Sequence, residues 1–127
     1  MKKSNFLSYT VYIHREIQQD IAVNVFIGNK IARKLQDKHQ VIASEVIECI
    51  HNNAGKYLQD DREQHKTNPP TLWFIAQTDI GRRLKVVFIR YSTNEYVLKT
   101  AYAPNLDEEI IYKYYGHRDK KDERKRY

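Results

Sequence analysis

Two groups of side chains in this sequence have the types and spacing to handle an anion or a metal ion. The first is basic. Lys85 stands within the apolar run of GRRLKVVFIRY, and Thr100 and Tyr102 take alternate positions in YVLKTAYAP. Alternate residues of an extended chain share a face. Thr100 and Tyr102 would therefore project from one side of a sheet, joined by Lys85 if the turn between the strands pairs Ser92 with Glu95, with Arg82 and Arg83 at the adjoining turn. Upstream, Lys30, Arg33, Lys34 and Lys38 crowd a helical pattern and either form a solvated face or lie along phosphates. The second group is Asp60, Asp61, Glu63 and His65, which together offer oxygen and nitrogen ligands to a divalent cation. The same composition is common in a solvated loop. Cys49 has neither a helix N-terminus nor a cation beside it, so it reads as a core thiol and not as an activated nucleophile.

The elements that must position these groups can be read from hydrophobic periodicity. Residues 1–8 read as a loose end. Tyr9–Ile27 follows a strand pattern that QQD could fold into a hairpin, with a short helix over His14–Gln19 as the competing reading. Asn29 is suited to cap a helix starting at Lys30, with Ile31 and Leu35 on its inner face. A second helix is expected from Ser44 to His51, with Val46, Ile47 and Ile50 buried and Ile42 placed as a hydrophobic staple. Asn52-Asn53-Ala54-Gly55 would end it with a left-handed cap. Lys56–Pro70 is a long polar link, and links of that length are often functional.

Three strands follow, over Leu72–Thr78, Arg83–Tyr91 and Tyr96–Ala103, with turns at Asp79-Ile80-Gly81 and Thr93-Asn94. A last helix spans Asn105–Tyr115, with Leu106, Ile110, Ile111 and Tyr114 as its apolar side. If Ser92 pairs with Glu95, then Tyr91 meets Tyr96, Ile89 meets Leu98, Val87 meets Thr100, and Lys85 meets Tyr102. Leu84, Val86 and Phe88 then form the helix-covered core, and the opposite face, bearing Lys85, Thr100 and Tyr102, is open. A slip of one residue would expose Arg90 and Lys99 instead.

The 127 residues fit one domain, taken as 1–116 with a β-like extension over 1–28 and a charged tail at 117–127. A formal charge of +6 favours an anionic partner, nucleic acid or an acidic protein. Ten tyrosines supply rings that could stack on bases. One cysteine excludes an internal disulfide framework and a cysteine zinc site. No apolar run approaches the ~20 residues that cross a bilayer, and the first residues do not form a signal peptide, so cytoplasmic residence is expected.

The order helix, helix, long link, three-stranded meander, helix resembles the RelE-like and BrnT-like toxins of bacterial toxin–antitoxin systems. KIARKLQDKHQVIASEVIECI, GRRLKVVFIRY and YVLKTAYAPNLDEEIIYKYY carry the likeness, over roughly Lys30 to Tyr115. The last of these also looks like the closing strands of the wider barnase–EndoU–colicin–RelE ribonuclease class. Tyr102 stands where BrnT-like proteins tend to place an arginine.

The resemblance implies an α+β fold: an antiparallel sheet of three to five strands, with two N-terminal-side helices and one C-terminal helix packed on it. It also implies a metal-independent endoribonuclease without a cofactor, which inhibits translation by cutting RNA such as ribosome-associated mRNA and is held by a cognate antitoxin protein. Within that reading, His39 is the acid or base, and Arg83 and Lys85 stabilise the phosphorane charge. Thr100 and Tyr102 position the phosphate, or Tyr102 stacks on a base. Lys30, Arg33, Lys34, Lys38, Arg82, Arg90 and Lys99 bind RNA. Metal-dependent hydrolysis by the Asp60–His65 link, and a non-enzymatic interaction module of the same fold, are the alternatives.

Overall fold

A computed structural model describes residues 5–15, 19–60, 62 and 67–117. The chain is α+β, built on a six-stranded mixed sheet in the order β1-β2-β6-β5-β4-β3. The expected antiparallel sheet of three to five strands is thus larger and not wholly antiparallel. The sequence pattern showed strands but not how the N-terminal hairpin joins the meander. It joins through a short parallel ladder.

The N-terminal alternation does form a hairpin. Strand β1 (Phe6–Arg15) pairs antiparallel with β2 (Gln19–Gly28) in unbroken register. Pairing with Gly28 draws Phe6, Leu7 and Ser8 out of the expected loose end. Gln19 and Asp20 belong to β2, and His14 to β1, so a helix over His14–Gln19 is excluded at both ends. Val11, Ile13, Val23, Val25 and Ile27 alternate inward and are buried. Strand β2 then lies parallel to the meander's last strand, pairing Asn24, Val25 and Phe26 with Glu95, Tyr96 and Val97.

Helix α1 (Asn29–Lys34) is capped by extended Gly28 and not by the Asn29 side chain. The Asn29 amide instead donates to Asn5 O at 2.8 Å. The helix widens into a π turn over Leu35–His39 that closes on left-handed Gln40 (φ 53°). Leu35 is buried as expected.

Helix α2 (Ala43–Asn52) buries Val46, Cys49 and Ile50. Ile42 is its N-cap residue and half exposed, so it staples nothing. Its amide donates to Glu45 Oε1 at 3.1 Å. The helix ends on extended Asn53, without a left-handed cap. Gly55 serves another need: a Cβ there would overlap the Tyr112 hydroxyl and the Gly116 carbonyl.

The long link contributes a strand of its own, β3 (Leu58–Gln59), on the edge of β4 (Thr71–Gln77). Strands β5 (Arg83–Ser92) and β6 (Glu95–Tyr102) complete the meander. Gly81 takes φ 95° in the first turn, where a side chain would be strained.

Ser92 pairs with Glu95, Val87 with Thr100 and Lys85 with Tyr102, as the turn predicts. Between them the register shifts twice. Tyr96 pairs with Arg90 and not Tyr91, and Leu98 with Phe88 and not Ile89. One extra residue in each strand, Tyr91 in β5 and Lys99 in β6, accounts for both shifts, and such bulges re-aim side chains. Leu84, Val86 and Phe88 are fully buried on the α2 side, as expected. There Tyr96 stacks on Phe88 at 4.7 Å between ring centroids, and Tyr57 meets Phe74, Phe88 and Tyr96.

The opposite face is not open. Trp73, Lys85, Val87 and Ile89 are all buried. Helix α3 (Leu106–Tyr115) crosses this face. Its inward residues are Glu108, Glu109 and Tyr112, not the expected apolar side. Leu106, Ile110, Ile111 and Tyr114 remain exposed. The polar contacts of the two glutamates fix the helix rotation, and Tyr112, facing Trp73, is its one buried residue.

Candidate functional site

Lys85 is the centre of the covered face. Strand alternation turns it toward α3, where only 7% of it is exposed. A buried ammonium needs a partner, and Nζ donates to Glu108 Oε2 at 2.8 Å. It also lies 4.5 Å from the Trp73 ring centre and 5.6 Å from that of Tyr102, both within cation–π range.

The Tyr102 hydroxyl donates to the same Glu108 oxygen at 3.1 Å. The other oxygen of Glu108 accepts the Asn105 amide at 2.9 Å, and the Asn105 side chain accepts the Glu108 amide at 2.8 Å. This is a capping box with Asn in place of Ser or Thr. Burial alone would push the Glu108 carboxyl up. Hydrogen bonds from Lys85, the Asn105 amide and Tyr102, together with the Lys85 charge, outweigh it and hold the group below the ordinary carboxylate range.

His39 ends the π turn, half-buried, with its ring 5.5 Å from that of Tyr102. Its backbone is pinned by Arg82, which donates to His39 O at 3.1 Å and to Gln40 O at 2.8 Å. Arg82 also pairs with Glu45 at 3.1 Å. Arg82 thus positions the histidine from outside the cleft.

Lys34, Lys38, His39, Lys85, Thr100 and Tyr102 line one cleft of about 680 Å³. The bulged Lys99 joins them, so the two registers weighed from sequence are not exclusive: the bulge brings Lys85 and Lys99 to the same cavity. Lys34, Lys38 and Lys99 are exposed and make no ion pair among the described residues. The link supplies Asp60, Arg62 and Thr67 as a further wall. Arg62 grips Asp60 through two bonds, at 3.1 and 2.9 Å, which raises the guanidinium above its usual range.

The remaining cations lie elsewhere. Arg83 makes a two-bond pair with Glu109, both bonds 2.8 Å, and borders a separate cleft of about 620 Å³ beside Asn53 and His117. Arg90 is exposed, 5.8 Å from the Tyr57 ring on the α2 side. Lys30 and Arg33 are exposed on α1 and do not line the cleft. Asp61, Glu63 and His65 lie outside the described residues. Among those described, no group of three His, Cys, Asp or Glu side chains could hold a metal. Cys49 is buried as expected. Burial, with Glu48 and Glu45 nearby, pushes its thiol up to about 12.

Sequence reading missed Glu108, Trp73, Arg62 and Thr67. The signal for Glu108 was present, since Asn105 followed three residues later by Glu is a capping box. Nothing local shows that the same carboxylate reaches Lys85. Compared with known proteins, the chain matches no family model, no curated protein and no solved structure.

Proposed function

We propose that the protein is a metal-independent endoribonuclease of the RelE- and BrnT-like class, acting in the cytoplasm as the toxin of a toxin–antitoxin pair. One observation carries this reading: His39, Lys85, Thr100 and Tyr102, from distant parts of the chain, line one cleft with Lys34, Lys38 and Lys99.

The chemistry fits that set. The 2′-hydroxyl of the RNA attacks the adjacent phosphorus, the bond to the 5′-oxygen breaks, and a 2′,3′-cyclic phosphate and a 5′-hydroxyl remain. His39 exchanges a proton with the attacking or the leaving oxygen, the role for which imidazole is suited near neutral pH. An ammonium has three N–H donors, and Glu108 takes one of Lys85's, leaving others for the phosphorane oxygens. Thr100 supplies a hydroxyl to the phosphate. Tyr102 offers its ring to a base, since its hydroxyl is committed to Glu108. The exposed lysines hold flanking phosphates, and an acidic antitoxin segment would cover the same surface.

The test is cleavage of single-stranded RNA by the purified chain in excess EDTA, with the product ends identified. Cyclic phosphate ends are expected, and His39→Ala should slow cleavage by about 10²–10⁴-fold. Lys85→Met, which keeps the stem, should lower the rate while RNA is still bound through the outer lysines. Absence of cleavage across a panel of RNAs would overturn the enzymatic reading. Tight RNA binding without cleavage would then favour the non-enzymatic module. Equal rates in His39→Ala would remove that residue from the mechanism.

A further inference from the structure

Strand β1 is a sheet edge of ten residues, against two in β3 at the other edge. Natural edges of this length are usually protected by charge, proline or a bulge. From Phe6 to His14 the strand has no Lys, Arg, Asp, Glu or Pro, and its register with β2 is unbroken.

The direction of its backbone groups follows from the neighbours. The Asn24 amide donates to Asn94 O at 2.8 Å, toward β6 and away from β1. Thr10, opposite Asn24, therefore points its own amide and carbonyl out of the sheet. Asn5 O accepts from Asn29 on the β2 side, which fixes the same alternation at the other end. Phe6, Ser8, Thr10, Tyr12 and His14 thus present their backbone groups away from β2, at an edge that no further strand among the described residues covers. His51 confirms the direction at Tyr12, whose carbonyl takes its Nδ1 at 2.6 Å and keeps a second lone pair.

We propose that this edge pairs with itself: two copies of the chain join antiparallel, β1 to β1, about a two-fold axis at Thr10. The occupant is a second copy because the strand is self-complementary. In that register Thr10 faces Thr10, Ser8 faces Tyr12 and Phe6 faces His14, all outward-bonding pairs. On the α2 side, Leu7 meets Ile13 and Tyr9 meets Val11, apolar to apolar. A chain of formal charge +6 tends to repel its copy, whereas from Phe6 to His14 no Lys, Arg, Asp or Glu opposes another. Pairing would also cover Phe6, Leu7 and Tyr12, which are 49%, 45% and 56% exposed. The inference rests on the sheet edge alone and is independent of the cleft's chemistry.

Sedimentation of the intact chain from about 1 to about 300 μM tests it. The contact is small, so dimers with Kd on the order of micromolar are expected. Thr10→Lys sets like charges face to face at the axis. Thr10→Pro removes an amide that no bond among the described residues uses, a change tolerated on an edge strand. Each should weaken association at least roughly tenfold while circular dichroism stays unchanged. Should Thr10→Pro fail to fold, Thr10→Lys still decides the matter. A wild-type monomer at every concentration would overturn the proposal, as would dimers equally strong in the variants.

Discussion

Glu108 satisfies Lys85, Tyr102 and the Asn105 amide at once, and so couples the floor of the cleft to the start of α3. Its carboxyl is held below the ordinary carboxylate range in the folded protein. The contribution to stability is therefore fully present above the unfolded pKa and lost as pH falls through the folded one. Glu108→Gln should lower stability at pH 7 by about 1–3 kcal/mol, less than for a fully buried pair because the carboxylate is partly exposed. The gap between wild type and variant should narrow at pH 3. Thermal melts at the two pH values check this, and an undiminished gap at pH 3 would show that packing, not charge, is what the variant loses. At this scale sequence went far. Strand alternation and the turn at Thr93-Asn94 placed Lys85, Thr100 and Tyr102 on one face, and a helical pattern led to His39. It could not separate Arg82 and Arg83 from the cleft, because their carboxylate partners, Glu45 and Glu109, are close only after folding.

Among the elements, α3 departs most from its sequence pattern. Leu106, Ile110, Ile111 and Tyr114 form a stripe that would ordinarily face the sheet, yet the helix turns Glu108, Glu109 and Tyr112 inward. The buried Lys85 on β5 outbids the aliphatic stripe, since leaving it unpaired would cost more than exposing leucine and isoleucine. The C-terminal end of α3 is anchored by Tyr112, whose hydroxyl donates to Lys56 O at 2.8 Å beside Gly55. Gly55→Ala should therefore cost about 1–3 kcal/mol by overpacking and lower the melting temperature by several degrees, although the position has no left-handed φ. A melting temperature equal to wild type would mean that α3 shifts to admit the methyl. The bulges at Tyr91 and Lys99 were equally hidden, because an extra residue in a strand leaves no mark in the two-residue period of its neighbours.

On the scale of the whole molecule, the strands of the hairpin and of the meander followed from periodicity, while the sheet order did not. Nothing in the local pattern of β2 or β6 announces that they lie side by side in parallel. Among the described residues, no helix is long and apolar enough to cross a membrane.

The parallel junction has a kinetic consequence. The β1–β2 hairpin and the β4–β5–β6 meander each form through short-range turns, whereas their junction must close most of the chain between Asn24 and Glu95 for three pairs of residues. Such closure is entropically costly before the contacts reward it. The two ribbons should assemble separately and dock after the folding barrier. Val25→Ala, at the junction, should then speed unfolding and leave the folding rate nearly unchanged in a denaturant chevron. A slowed folding limb would place docking in the nucleus instead.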